Sequence, residues 1–298
     1  MEYIKAKTIV NRAKNDWWFG TIYSMNIYRG CNFGCIYCDS RSDCYQVEDF
    51  GRVRAKEDAL RIIRDDLRRK DQKGVIHTGA MSDPYMPVEK SLKLMRHSLE
   101  LINAYRFGVA IATKNTLVTR DVDILKDISK RAPVMVSFTI TTADDDLAKR
   151  LEPGSPSSLQ RFEALKELSE AGIFSGVLMM PILPFINDTE ENVLAIVRLA
   201  HEARAKYVFA HMGLTLRSGQ REFFYDQLEK DFPGLKGKYE KQYGLKYQAN
   251  SPRSRRLYQV FRKECNRLGL LHKMDDITAE YQKNGFWAKQ PSLLTNVK

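Results

Sequence analysis

Residues 30–38 read Gly30-Cys31-Asn32-Phe33-Gly34-Cys35-Ile36-Tyr37-Cys38, which places three cysteines in the pattern C-x₃-C-x₂-C. The chain has five cysteines in 298 residues, and the other two are Cys44 and Cys265. An odd number of cysteines, with three crowded into one short segment, is not typical of a disulfide framework. We therefore expect reduced thiols that are free for metal binding or catalysis.

The spacing of Cys31, Cys35 and Cys38 suits an iron–sulfur cluster. A cubane [4Fe–4S] cluster ordinarily takes four cysteine ligands, so three would leave one iron open to a small molecule. Zinc is the alternative metal, but it normally takes a fourth ligand and shows paired CxxC spacings. Cys44 could supply that ligand, and three structural thiols without metal are a further alternative.

The composition indicates a globular protein of the cytoplasm. With 43% hydrophobic residues, including 14 Phe and 14 Tyr, the chain has enough apolar surface to fold around a core. The longest apolar stretch, 176–186, is too short to span a bilayer and contains two prolines. The N-terminus is charged and has no long apolar segment, so we expect neither a secretory signal nor a membrane partner.

Short apolar runs alternate with amphipathic helical segments along most of the chain. The predicted strands are 23–28, 75–78, 109–113, 134–141, 175–180 and 207–212, and the predicted helices are 56–72, 89–105, 121–130, 157–171 and 189–204. Gly172 is expected to end the fourth helix, and Asp188 to cap the fifth. This order predicts an α/β fold, a partial (β/α)₆ barrel with its functional loops at the carboxyl ends of the strands.

The alternation predicts three regions. Residues 1–22 are expected to pack on the barrel, 23–213 to form the core domain, and 214–298 to form a basic, mainly helical extension. The extension holds 17 Lys and Arg against 9 Asp and Glu, a balance of +8 out of the +11 of the whole chain. A basic helix at 253–268 with interleaved aromatic residues could bind the phosphates of nucleic acid. A merely solubilising helix face is an equally good interpretation.

The cysteine pattern on the loop after the first strand, with the aromatic Tyr37 before the third cysteine, resembles the radical S-adenosylmethionine superfamily. Further fragments resemble its spore photoproduct lyase branch when they are taken in order along residues 23–213. These fragments are Ser82-Asp83, Thr113-Lys114, Glu152-Pro153-Gly154 and Pro181-Ile182. Each fragment is weak alone, whereas the cysteine motif is specific.

The resemblance implies a cluster on Cys31, Cys35 and Cys38 with S-adenosylmethionine chelated to the open iron. In this superfamily the reduced cluster cleaves S-adenosylmethionine, and the 5′-deoxyadenosyl radical abstracts a hydrogen atom from the substrate. The protein positions and shields this cofactor chemistry. A small electron donor such as flavodoxin or ferredoxin is the implied partner.

The resemblance also implies roles for five residues around S-adenosylmethionine. Lys114 would face the methionyl carboxylate, Ser82 would help hold the amino group, and Ser137 would bond the ribose. Tyr37 and Ile182 would flank the adenine. The alternatives are a solvated strand-end lysine for Lys114, an ordinary strand serine for Ser137 and a core residue for Ile182.

Two departures separate the chain from a photoproduct lyase. That branch has a cysteine before its T-S-D segment, which returns a hydrogen atom to the product, and here Ala80 stands in its place. Asp39 follows the third cysteine where the lyase has a tyrosine. Alanine cannot donate a hydrogen atom, so Cys44 is the candidate for a substitute donor. Independently, His211 at the end of the sixth predicted strand is a candidate for the cofactor or substrate pocket.

These observations predict a radical S-adenosylmethionine enzyme whose substrate is not identified. On charge and kinship, nucleic acid or another phosphate-bearing molecule is the favoured substrate class. One alternative is a photoproduct lyase that uses a different hydrogen donor. The other is an iron–sulfur protein that binds nucleic acid without turnover.

Overall fold

The computed structural model describes residues 1–283, which form twelve strands and eleven α-helices. The strands are β1 Glu2–Ile4, β2 Val10–Arg12, β3 Tyr23–Met25, β4 Tyr28–Arg29, β5 Arg54–Lys56, β6 Val75–Thr78, β7 Gly108–Thr113, β8 Val134–Thr139, β9 Phe174–Met179, β10 Tyr207–Ala210, β11 Gly213–Thr215 and β12 Gln248–Asn250. The helices are α1 Ala59–Arg68, α2 Glu89–Leu92, α3 Leu94–Ala104, α4 Val122–Ser129, α5 Asp145–Leu151, α6 Ser158–Glu170, α7 Glu190–Glu202, α8 Gln220–Asp231, α9 Leu235–Tyr243, α10 Ser254–Leu268 and α11 Met274–Gln282.

The largest sheet has the strand order β10-β9-β8-β7-β6-β3-β2. Its first six strands are parallel and follow one another in chain order, while β2 pairs antiparallel with β3 at the edge. Parallel neighbours need crossover connections, and helices supply them after β6, β7, β8 and β9. The predicted α/β architecture of six strands with helical crossovers is therefore confirmed.

Side-chain alternation gives this sheet an outer face and an inner face. Val109 and Ile111 of β7 belong to the main core, whereas Ala110 belongs with Met135 to a second apolar cluster. Successive residues of a strand point to opposite faces, so the two clusters lie on opposite sides of the sheet. Strands buried on both faces explain the nearly unbroken apolar runs in the sequence.

The inner face is filled at the amino ends of its strands by both ends of the described chain. Phe19 packs against Tyr207, the first residue of β10, with ring centroids 5.9 Å apart. Met274 and Ile277 of α11 join the same cluster, and the Tyr281 hydroxyl donates a hydrogen bond to the Phe19 carbonyl. The carboxyl ends of the strands are left for the functional loops.

Local capping explains two helix ends and corrects one expectation. Gly172 has φ +84°, in the left-handed region that ends a helix, directly after the C-cap of α6. The N-cap of α7 is Thr189, whose side chain accepts from the Asn192 backbone, and not Asp188 as the sequence predicted. The Asp188 carboxylate instead accepts from the Phe185 backbone N–H and from the Ser251 hydroxyl.

The extension packs on the sheet domain through α10. Ion pairs join it to α7, at 2.7 Å between Arg256 and Glu190 and at 2.7 Å between Arg198 and Glu264. Residues 284–298 of the predicted extension lie outside the described residues. Within residues 1–283, no helix has the length and apolar character needed to cross a membrane.

A second, three-stranded sheet was not predicted. Its order is β1-β5-β4, with β1 parallel and β4 antiparallel to β5. None of its strands exceeds three residues, so none carries enough alternation to be recognised in the sequence. Because β4 directly precedes the cysteine loop, this sheet places the N-terminal segment next to the start of that loop.

Candidate active site

The cysteine loop follows β4 and surrounds a small cavity at the carboxyl ends of the parallel strands. Cys31, Cys35 and Cys38 line this cavity of about 110 Å³, together with Lys114 after β7 and Thr139 at the end of β8. Cys35 is buried and the other two cysteines are half-buried. We call this space the cluster cavity.

Two glycines allow the backbone to follow the cavity wall. Gly30 has φ +80°, and a Cβ there would lie 2.5 Å from the Arg52 carbonyl oxygen. Gly79, directly after β6, has φ +100°, and a Cβ there would lie 1.9 Å from the Ala112 carbonyl oxygen. Only glycine satisfies both the left-handed backbone and the close approach.

The segment with the E-P-G fragment, residues 152–154, is hydrogen-bonded to the cysteine loop together with the end of α5. The Ile36 N–H donates to the Leu151 carbonyl at 3.0 Å, and the Gly154 N–H donates to the Phe33 carbonyl at 2.8 Å. The Tyr37 hydroxyl donates to the Glu152 carboxylate. These contacts hold the loop at the first turn after α5.

A buried ion pair extends this support to the sheet. The Arg161 guanidinium lies 2.5 Å from the Glu152 carboxylate, and it donates to the Thr139 carbonyl at 2.8 Å and to the Pro156 carbonyl at 2.7 Å. Burial alone would raise the pKa of Glu152, but the charges of Arg161 and Lys114 outweigh burial and lower it. Glu152 is therefore an anion that joins the cysteine loop to β8.

Asp83 joins the loop after β6 to the end of β7. Its carboxylate accepts from the Tyr85 N–H at 2.8 Å, and from the Thr113 hydroxyl and the Lys114 N–H at 2.7 Å each. The Lys114 ammonium lies 5.7 Å from the centroid of the Tyr37 ring. The carboxylate thus fixes the backbone from which Lys114 reaches the cluster cavity.

Burial controls the charge of the thiols. It raises the pKa of Cys31 to about 11 and raises that of Cys35 further, so a metal must displace their protons to bind. Burial disfavours a charged Lys114, but thiolate at Cys35 and the Glu152 carboxylate outweigh it and raise the lysine pKa. The thiols thus hold their protons until a metal displaces them, and Lys114 is a cation beside them.

The donor set fits an iron–sulfur cluster with one open position. Soft thiolates are the ligands that such clusters take, and the residues lining the cluster cavity include no fourth cysteine and no histidine. Across residues 1–283, no three His, Cys, Asp or Glu side chains converge closely enough to hold a single metal ion. The three sulfurs instead surround a space.

The structure brings together some of the predicted S-adenosylmethionine contacts. Ser82 and Lys114 line the cluster cavity, and Tyr37 packs beside Lys114. Ser137 lies deeper, where its hydroxyl is 2.5 Å from that of Tyr207 and only 1% of the residue is exposed. Because strand alternation returns every second residue to the same face, Thr139 lines the cavity two residues further on.

Ile182 and the two candidate catalytic residues are not among the residues that line the cluster cavity. Ile182 is fully buried in the main core, and its N–H donates to the His211 carbonyl at 3.0 Å. His211 is half-buried, and burial lowers its pKa. Cys44 is exposed in a separate cavity of about 480 Å³, where Arg217 donates to its sulfur at 3.4 Å.

The sequence did not predict that Arg161 and Thr139 belong to the site. Arg161 lies in a helix rich in charged residues, where a solvated arginine is the ordinary expectation, yet it is 1% exposed. No local pattern distinguishes it. Thr139 could have been found, because it lies two residues after Ser137 on the same strand face.

A family model described as the radical SAM superfamily matches residues 25–198, more than half of the chain. The chain belongs to the radical S-adenosylmethionine superfamily. It is accordingly an enzyme, and its cofactors are a [4Fe–4S] cluster and S-adenosylmethionine. The prediction of the family and its cofactors is confirmed, and the alternative of a non-catalytic iron–sulfur protein is not supported.

Similar proteins extend this assignment without naming a substrate. The chain is 38% identical over 190 residues to an uncharacterised protein of Methanocaldococcus jannaschii, covering 63% of this chain and 69% of that protein. It is 27% identical over 248 residues to an uncharacterised protein of Mycobacterium tuberculosis, covering 80% of this chain and 72% of that protein.

Among solved structures, the radical S-adenosylmethionine enzyme spore photoproduct lyase, complexed with dinucleoside spore photoproduct, matches with a TM-score of 0.68. The match has 14% identity and covers 91% of this chain and 81% of that one. A methyltransferase of the same superfamily from Kitasatospora setae, with tryptophan and a S-adenosylmethionine analogue bound, matches with a TM-score of 0.53 and 13% identity. That match covers 81% of this chain and 51% of the other. At these identities the likeness shows the fold.

Proposed function

We propose that this enzyme reductively cleaves S-adenosylmethionine and uses the product to abstract hydrogen from a nucleic-acid or other phosphate-bearing substrate. The observation that carries the proposal is the single cavity lined by Cys31, Cys35, Cys38 and Lys114. When bound, the reduced cluster supplies the electron that breaks the S–C5′ bond of S-adenosylmethionine and releases the 5′-deoxyadenosyl radical. The chain's own residues bind, orient and shield these reactants.

Each residue near the cavity has a part in this proposal. The three thiolates would hold the cluster, and the Lys114 ammonium would bind the methionyl carboxylate. The Ser82 hydroxyl donates to the Tyr28 carbonyl at 3.1 Å, which leaves its oxygen able to accept from the methionyl amino group. The Tyr37 hydroxyl donates to Glu152, and this contact would orient the Tyr37 ring toward the adenine. Thr139 replaces Ser137 as the hydroxyl for the ribose, since Ser137 is engaged by Tyr207.

Anaerobic reconstitution tests the cluster. We expect about four irons per chain and the formation of 5′-deoxyadenosine when dithionite is added with S-adenosylmethionine. The Cys35→Ser variant should lose both iron and product. Cys44→Ser is the matched control, because Cys44 lies in a different cavity and should leave the iron content unchanged. Full iron with no cleavage under strong reductant would contradict the proposed reaction.

The electron donor is proposed on the same chemistry. Reduced flavodoxin or ferredoxin should replace dithionite and support 5′-deoxyadenosine formation. The control reductant is a small dye reduced by dithionite to the same potential. If neither protein yields more 5′-deoxyadenosine than this dye does, this part of the proposal fails. The cleavage assay with dithionite is independent of that outcome.

The substrate class rests on charge. Arg253 and Arg255 are exposed at the start of α10, whereas Arg256 is paired with Glu190. Candidate nucleic acids deuterated in the sugar or base should transfer deuterium to 5′-deoxyadenosine if they are substrates. Neutralising Arg253 and Arg255 should weaken the binding of nucleic acid and make it less dependent on salt. The slope of log K against log salt concentration should decrease by about 0.7 for each single-strand phosphate that the protein no longer neutralises.

The photoproduct lyase alternative differs in its expected hydrogen donor. Ala80 lines the cluster cavity, and the residues lining it include no thiol beyond the three cluster cysteines. We therefore expect no thymine release when the enzyme is incubated with spore photoproduct under reducing conditions. Thymine release that disappears in Cys44→Ser would restore this alternative with Cys44 as the donor.

A further inference from the structure

A second cavity adjoins the cluster cavity on the side of the N-terminal segment. It measures about 350 Å³ and shares Met81 and Ser82 with the cluster cavity as a common wall. We call it the basic cavity, because Lys5, Lys7, Arg29 and Lys56 line it and none of its lining residues is Asp or Glu.

The three-stranded sheet explains why these cations meet. β4 and β5 are antiparallel with Arg29 opposite Arg54, and residues directly opposite point to the same face. Lys56 lies two residues after Arg54 and therefore shares that face. Ala55 points the other way and is fully buried in the main core. The register thus gathers positive charge on one side of the sheet.

In the part of the chain that the structure describes, none of Lys5, Lys7, Arg29 and Lys56 takes part in an ion pair. Burial and the charge of Arg29 lower the pKa of the half-buried Lys56, and the charge of Asp66 opposes them without reversing the shift. A neighbouring depression that shares Lys5 and Arg29 holds one acidic side chain, Glu48. Gathering like charges costs electrostatic free energy that an anionic ligand would recover.

The basic cavity also has aromatic walls. Tyr45 and Phe50 complete the wall. Its volume falls in the range of about 300 to 1,000 Å³ that is usual for small-ligand sites, which favours a compact group over a flat protein surface.

We propose that the basic cavity binds a phosphate group of the substrate and thereby places the rest of the substrate beside S-adenosylmethionine. The inference rests on the proposed function for its reaction but concerns a different set of residues. In this proposal the N-terminal segment recognises the anion near the reaction centre. The sequence predicts only that this segment packs on the barrel. The basic extension would then act in capture of a polyanion at a distance.

Binding of two probes tests the proposal on the reconstituted full chain. The variant Lys5→Gln/Lys7→Gln/Lys56→Gln is compared with Lys126→Gln/Lys149→Gln/Lys166→Gln, which removes the same charge from exposed helix positions. Inorganic pyrophosphate should bind the first variant about tenfold more weakly than the wild type, with less than about a twofold change for the control. Iron content and thermal melting of both variants report whether they are folded.

A labelled single-stranded hexanucleotide is the second probe, and it separates the sources of the phosphate. If its affinity falls with that for pyrophosphate in the cavity variant, the ligand is a nucleic-acid phosphodiester. If only pyrophosphate binding falls, the ligand is a small phosphorylated molecule. Both results support an anion site in the basic cavity.

Three results would overturn the proposal. They are no pyrophosphate binding by the wild type, an equal loss in both triple variants, and unchanged pyrophosphate binding with slower reduction by flavodoxin in the cavity variant. The last would make the surface a docking site for the electron donor. Formation of 5′-deoxyadenosine by the wild type without any phosphate probe tests the proposed function separately.

Discussion

The guanidinium of Arg161 lies 2.5 Å from the carboxylate of Glu152, and neither side chain is more than 1% exposed. The carboxylate also accepts from the hydroxyl of Tyr37, between the second and third cluster cysteines. Arg161 in turn donates to the carbonyl of Thr139 at the end of β8. One buried pair therefore connects the cysteine loop to the strand end that faces it across the cluster cavity.

Replacing Glu152 tests this connection. Glu152→Ala leaves the Arg161 guanidinium buried without its partner, so we expect the free energy of unfolding to fall by about 3–5 kcal/mol. Urea unfolding of anaerobically purified protein measures it. Glu163→Ala, at an exposed position of α6, should stay within about 0.5 kcal/mol of the wild type. Equal stabilities of the two variants would show that the pair does not support the site.

Gly79 is expected to tolerate no side chain. With φ +100° and a Cβ position 1.9 Å from the Ala112 carbonyl oxygen, Gly79→Ala must move either the loop after β6 or strand β7. We expect a loss of at least about 3 kcal/mol in the free energy of unfolding and a reduced iron content. The control is Gly237→Ala in the exposed face of α9, where an added Cβ meets nothing and should stabilise by about 0.5–1 kcal/mol.

His77 is expected to make stability depend on pH. Its ring is buried on the inner face, 6.2 Å from the ring of Trp18, and burial lowers its pKa to about 4. Between pH 4 and about 6.5 the unfolded chain binds a proton that the native protein does not, so stability falls on acidification through that range. From pH 7 to pH 5 the contribution is about 2 kcal/mol.

The His77→Gln variant isolates this contribution. Unfolding is measured at pH 7 and pH 5 for both proteins, and acid effects common to them cancel in the difference. We expect the variant to lose about 2 kcal/mol less than the wild type over this range. Identical losses would mean that His77 titrates normally and is accessible to water.

Lys114 is expected to set the affinity for S-adenosylmethionine. Lys114→Met keeps most of the side-chain volume but removes the charge in the cluster cavity, so the dissociation constant should rise at least about tenfold. Calorimetry without reductant measures binding alone. Lys126→Met, on an exposed face of α4, is the control and should bind as the wild type does. Equal affinities would remove the carboxylate contact from the proposal.

Much of the fold could be predicted because it is encoded locally. The six parallel strands and the main helices carry enough apolar periodicity to be recognised. The cysteine spacing favoured an iron–sulfur cluster over zinc, and the family resemblance then implied that cluster. The prediction that was wrong concerns a residue whose partner is distant in the sequence. Asp188 lies next to the start of α7, but it accepts from Ser251 of the extension and leaves the cap to Thr189.

The sequence by itself determined the ligand chemistry, since three thiols within eight residues need no tertiary contact to be near one another. The alternation along β8 makes both Ser137 and Thr139 candidates, and only the tertiary structure decided between them, because it pairs the Ser137 hydroxyl with that of Tyr207 and leaves Thr139 lining the cavity. It also decided that Arg161 is buried and that Lys5 and Lys56 share one cavity. The burial of a side chain and the meeting of several positive charges both depend on contacts between segments that are far apart in the chain. Local sequence patterns therefore cannot predict either.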